Sequence, residues 1–124
     1  MALALVIDDS RAMRMILSGT LRDLGYEVCS AGDGQEALQY LRDKKPDLSF
    51  MLVDWNMPGV NGLEFVLQLR AMPDYQAAPV MMVTTETEVE QMVKALEAGA
   101  NEYVMKPFTP EIIADKLRLM GVLL

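Results

Sequence analysis

The sequence predicts a doubly wound α/β domain, a five-stranded parallel sheet with helices on both faces. Three observations carry that expectation. Short apolar runs alternate with amphipathic stretches five times along the 124 residues. The runs lack the in-out alternation of a half-exposed strand, which marks strands buried on both faces. Four of the five stop on a residue with chemistry to offer: Asp8-Asp9, Asp54, Thr84 and Lys106. No linker, repeat or low-complexity stretch interrupts the pattern, so residues 1–124 read as one domain.

Each element has its own justification. Leu3 to Ile7 forms the first strand. Ser10 can cap a helix to about Leu24 with an inward stripe of Met13, Ile16, Leu17, Leu21 and Leu24, and Gly25 closes it. A short strand, Glu27 to Ser30, holds Cys29, which reads as a small buried hydrophobe and not a reactive thiol. Asp33 and Glu36 have capping-box spacing and start a helix to about Asp43. The apolar run Leu48 to Val53 then stops on Asp54, followed by Pro58 and Gly59. A third helix spans roughly Gly62 to Met72 and buries Leu63, Val66, Leu67 and Leu69. Val80 to Val83 is the fourth strand. Thr85 and Glu88 form a second capping box for a helix to Ala98, with Gly99 as its stop. Glu102 to Met105 is the last strand, and Thr109 with Pro110 opens a final helix to about Met120. Met81, Met82, Met92 and Met105 read as core fillers.

Composition removes whole classes of function. Apolar residues make up 52% of the chain and charged residues 23%, a globular balance. A net charge of −7 argues against nonspecific binding to nucleic acid. No apolar stretch approaches the roughly 20 residues of a membrane span. The N-terminus, Met1-Ala2-Leu3-Ala4, lacks the basic region of a signal peptide, and the single cysteine suits a reducing compartment. A cytoplasmic location is therefore expected. The chain has no histidine, which excludes Ser-His and Cys-His catalysis and any His-ligated metal within it.

The strand ends carry the chemistry. Ligand sites in doubly wound sheets lie outside the carboxyl ends of the strands, where strand order reverses. Asp8, Asp9, Asp54, Thr84 and Lys106 are the residues expected there. Taken singly, each has a bland explanation: Asp54 a turn aspartate, Thr84 a strand end, Lys106 a solvated lysine. Together they form one pocket. Three crowded carboxylates resist ionisation unless a cation joins them, and hard oxygen ligands suit Mg²⁺. The hydroxyl of Thr84 and the ammonium of Lys106 would hold an anion, for which a phosphoryl group is the obvious candidate. Asp54 is then the expected nucleophile.

These residues carry a resemblance. Asp8-Asp9, the stretch from Asp54 to Gly62, Thr84 and Lys106-Pro107 make the chain similar to receiver domains of two-component response regulators, most of all the small stand-alone chemotaxis (CheY-like) type. The resemblance implies a (βα)5 flavodoxin-like sandwich with strand order 2-1-3-4-5, taken from the family and not from this chain's spacing. It implies that Asp54 is the phosphoacceptor, with phosphohistidine on a sensor histidine kinase or histidine phosphotransfer protein as donor. Asp9, Asp54 and the backbone carbonyl of Asn56 would bind Mg²⁺ directly, and Asp8 through water. Thr84 and Lys106 would contact the phosphoryl oxygens, and the Lys106–Pro107 bond would be cis. Tyr103 alone reads as a half-buried sheet tyrosine; the resemblance makes it a switch aromatic. Asn56 and Glu86 fall where the family tunes the lifetime of the phosphorylated state. The expected output is a change in the surface of the fourth helix, fifth strand and fifth helix that controls a protein partner. No DNA binding by this chain is expected.

Two other classes of protein use some of the same residue types. A phosphohydrolase of the haloacid dehalogenase type also uses a strand-end Asp with Mg²⁺, Thr and Lys, but its second Asp acts as a general acid. That position is Asn56 here, which cannot shuttle a proton. A nucleotide or flavin binder needs a phosphate loop after the first strand, where Asp8 and Asp9 would repel a phosphate. Within the receiver reading, the chain fits a stand-alone regulator or a receiver taken from a longer one. A degenerate receiver would lack motif residues that are all present here.

Overall fold

The computed structural model describes residues 2–85 and 89–123. Five strands, β1 (Leu3–Ile7), β2 (Glu27–Ala31), β3 (Phe50–Asp54), β4 (Val80–Thr84) and β5 (Glu102–Met105), form one parallel sheet in the order β2-β1-β3-β4-β5. Five helices connect or follow them: α1 (Arg11–Asp23), α2 (Gly34–Lys44), α3 (Gly62–Arg70), α4 (Val89–Ala98) and α5 (Pro110–Leu119). A single-turn 3-10 helix, Pro73–Tyr75, follows α3.

The expected two-faced burial of the strands is explicit. Leu5, Ile7, Met51, Val53, Val80 and Met82 pack on one face against α2, α3 and α4. Their strand neighbours Ala4, Val6, Phe50, Leu52, Met81 and Val83 pack on the other against α1 and α5. Alternation along each strand therefore divides the core into two apolar layers, and no central strand needs a polar side.

Helix ends follow local chemistry. Ser10, Asp33, Asn61 and Thr109 each accept a hydrogen bond from the backbone N–H three residues on, at 2.7–3.2 Å. The Glu36 carboxylate reaches back to the N–H of Gly32, one residue before the expected partner in a capping box. At the other end of α1, Gly25 adopts φ +98 and bonds Arg22, while Tyr26 bonds Leu21. This paired closure satisfies two orphan carbonyls and needs the left-handed residue that glycine supplies.

Three side chains depart from the sequence pattern. Ile16 is 56% exposed, because the buried stripe of α1 follows Leu17 and Leu21 with Ser18 beside them, and Ile16 lies a helical step to one side. Leu67 is 53% exposed; α3 turns Phe65, Val66 and Leu69 inward and ends at Arg70, since Pro73 holds Met72 extended. Met105 is 40% exposed at the tip of an edge strand. Cys29 is half-buried, its sulfur 3.5 Å from the Ala4 carbonyl. The side chain of Met92 and the capping residue Glu88 lie outside the described residues. Among the described residues, no helix is long and apolar enough to cross a membrane.

Candidate functional site

β1 and β3 are neighbours, and the chain leaves β1 for β2 on one side before returning to β3 on the other. Strand order reverses there, and the carboxyl ends of the two strands open a crevice. Asp8 follows the last residue of β1 and is fully buried. A buried carboxylate needs donors, and Asp8 Oδ1 takes the N–H of Ser10 at 2.9 Å. The Arg14 guanidinium, one turn into α1, fixes the backbone by donating to the Asp8 carbonyl at 2.7 Å. Asp9 is exposed beside it.

Asp54 is the last residue of β3, 5% exposed, with Oδ1 taking the Asn56 N–H at 3.4 Å. One carboxylate oxygen from each of Asp8, Asp9 and Asp54 lies within 4.8 Å of the others. Lys106, just past β5, spans two of them, with Nζ 3.4 Å from Asp8 Oδ2 and 3.7 Å from Asp54 Oδ1. Thr84 ends β4, buried, and its carbonyl receives the Lys106 N–H at 2.7 Å. The Lys106–Pro107 peptide bond is cis.

Electrostatics single out Asp54. Its carboxyl pKa is pushed up from 3.8 to about 6, first by burial and then by the charge of Asp8, with a smaller push from Asp9. Lys106 and the Asn56 N–H pull the other way and do not win. The donor set answers the question of a metal. It is all oxygen, anionic, partly open to water at Asp9, and holds three carboxylates against one ammonium. Those features fit a hard divalent cation such as Mg²⁺.

The floor of the site is built by close approach. Gly62 opens α3 directly beneath Asp54, its N–H bonded to the Trp55 carbonyl at 3.0 Å. A Cβ there would stand 2.9 Å from the Asp54 carbonyl oxygen and 2.9 Å from Trp55 Cα. Neither Gly62 as a packing requirement nor Arg14 as a backbone anchor was read from the sequence. A glycine opening a helix right after the Asp54 loop was the available signal for the first. Asn56 is exposed, and Tyr103 is half-buried on β5 beneath the ammonium of Lys116. Glu86 lies outside the described residues.

Comparison with known proteins gives the family. The family model for the response regulator receiver domain matches residues 4–118, and the chain belongs to that family. It is 46% identical over 114 residues to the chemotaxis protein CheY homolog of Campylobacter jejuni, covering 91% of this chain and 87% of that protein. Chemotaxis protein CheY1 of Helicobacter pylori is 44% identical, with 94% of each chain covered. Among solved structures, chemotaxis protein CheY4 of Vibrio cholerae superposes with a TM-score of 0.90 at 39% identity, covering 97% of this chain and 98% of that one.

Proposed function

We propose that this receiver is the phosphoacceptor of a two-component relay of the chemotaxis type, with Asp54 as the residue phosphorylated. The observation carrying this reading is the convergence of Asp8, Asp9 and Asp54 with Lys106 at the strand-order reversal, in a chain of the receiver family. An oxygen of the ionised Asp54 carboxylate attacks phosphorus, and the bond from phosphorus to the donor breaks with its electron pair leaving on the donor. The donor would be phosphohistidine on a sensor histidine kinase or phosphotransfer protein. Asp8, Asp9, Asp54 and the Asn56 carbonyl would hold Mg²⁺. That ion, when bound, neutralises the charge gathered on the phosphoryl oxygens. Lys106 and Thr84 orient the transferred group, so the chain assists its own phosphorylation and later hydrolysis without turning over an external substrate. Tyr103 acts as the switch aromatic, and the α4–β5–α5 face addresses a downstream protein. The relay setting places the chain in the cytoplasm.

The phosphohydrolase reading shares the strand-end Asp, Thr and Lys but lacks the acid that its chemistry requires, because position 56 is Asn. Labelling with acetyl phosphate and Mg²⁺, read by intact mass, tests the proposal. Wild type should gain one phosphoryl group and Asp54→Asn none. Trp55, the single tryptophan, adjoins the acceptor and should report Mg²⁺ binding by a saturable fluorescence change that Asp9→Asn abolishes. Labelling of Asp54→Asn would overturn the assignment.

A further inference from the structure

β5 lies at the edge of the sheet, with β4 its single neighbour. Glu102 and Tyr103 are adjacent on it, so their side chains leave on opposite faces. Lys116 of α5 nevertheless engages both. Its Nζ stands 3.4 Å from Glu102 Oε1 and 4.9 Å from the centroid of the Tyr103 ring. The same Oε1 accepts the backbone N–H of Tyr103 at 2.9 Å. One carboxylate oxygen thus ties the ammonium to the backbone of the residue whose ring that ammonium covers. Both charged side chains are mostly shielded, at 28% and 19% exposure, so solvent screens the contact less than an open surface pair.

We propose that Lys116, held by Glu102, is a positioning residue for Tyr103: it stabilises the ring orientation of the unphosphorylated chain and so opposes the switch. The inference rests on the reading of Tyr103 as the switch aromatic. A cation–π contact depends on the ring face remaining under the ammonium. A ring that turns inward toward the strand ends leaves that contact, while Lys116 stays anchored on Glu102. The clamp therefore favours one of two ring positions and leaves the rest of the fold alone. A contact of this class biases a two-state population by about two- to fivefold.

Fluorotyrosine labelling with fluorine NMR tests this, the Tyr103 resonance being assigned by its loss in Tyr103→Phe. A phosphoryl mimic bound at Asp54 in wild type defines the switched position. Without the mimic, Lys116→Gln should move the resonance toward that position by a roughly two- to fivefold larger switched population. Lys116→Arg, which keeps a cation able to stack on the ring, should stay near wild type. Glu102→Gln, which frees the ammonium without altering α5, should move in the same direction as Lys116→Gln and decides the matter if that variant folds poorly. Resonances of Lys116→Gln and Glu102→Gln coinciding with wild type, while the mimic still moves all three, would overturn the clamp and leave the switch standing. A wild-type Tyr103 resonance indifferent to the mimic overturns both, because no equilibrium would remain to bias.

Discussion

At Asp54, burial and the charge of Asp8 oppose ionisation, while Lys106 and the Asn56 N–H favour it. The net result is a folded-state pKa of about 6 against 3.8 for the ordinary group. The sign of the consequence follows. Below the lower value both states are protonated and nothing is lost. Between the two, the unfolded chain has released a proton that the folded chain retains, so stability falls as pH rises. Above the upper value the deficit is complete, at about 3 kcal/mol. Asp54→Asn should abolish it, stabilising the metal-free protein at neutral pH by about 1–3 kcal/mol and flattening the fall between pH 4 and 6. Urea midpoints across that window check this; parallel curves for the two proteins would contradict it. A separate property of the pocket bears on the lifetime of the proposed aspartyl phosphate, which survives only while water is kept from in-line attack. Asn56 is exposed two residues beyond Asp54, with its N–H already on Asp54 Oδ1. Arginine there can fill the approach and pair with phosphoryl oxygens. Asn56→Arg should therefore hold the label longer than wild type after the donor is removed, and equal decay by intact mass would refute the water-access argument.

At the scale of the element, the site depends on how closely α3 approaches the end of β3. The Cβ of an alanine at Gly62 would meet backbone atoms of Asp54 and Trp55, which cannot swing aside as the Met82 methyl can. Gly62→Ala should cost about 1–3 kcal/mol in spite of the helix propensity gained. Gly19, inside α1, has nothing within 4 Å of such a Cβ, and Gly19→Ala should stabilise by up to about 1 kcal/mol. Opposite shifts in thermal midpoint check the pair, and a stabilised Gly62→Ala would remove the packing argument. This contrast also marks what the sequence makes legible. Capping residues, the paired closure at Gly25 and the doubly buried strands are local, and each could be read from spacing. The Asp8, Asp54 and Lys106 cluster was legible because buried strands end there and the motif resembles a family. Ile16 and Leu67 were misplaced because a few degrees of helix phase decide between core and solvent, and apolar identity alone does not encode phase. The Lys116 contact with Glu102 and Tyr103 was invisible, since it depends on how α5 lies across its neighbouring edge strand β5, which spacing does not encode.

For the molecule as a whole, the ends of β4 and β5 behave as one unit. The Thr84 carbonyl holds the Lys106 N–H at 2.7 Å, and Thr84 pairs in register with Met105. Anything that draws Thr84 toward a phosphoryl group on Asp54 therefore pulls on the strand carrying Tyr103. Beyond it lie Val93, Leu96, Met105 and Ile112, exposed apolar residues on α4, β5 and α5. Such surface is suited to a partner whose affinity depends on how these elements are arranged. On the proposed reading the change is a bias on an existing equilibrium, so a partner that prefers the switched state would favour phosphorylation by the factor by which phosphorylation favours the partner, each 1.4 kcal/mol being about tenfold. Amide NMR shifts should accordingly change on binding a phosphoryl mimic not only at Asp8, Asp9, Asp54 and Lys106 but across residues 89–106 and onto the face of α5. Tyr103→Ala should confine the changes to the pocket while leaving acetyl phosphate labelling of Asp54 intact, which separates transmission from chemistry. If the wild-type changes stop at the strand ends, the α4–β5–α5 face is not the output and the coupling through Thr84 is wrong.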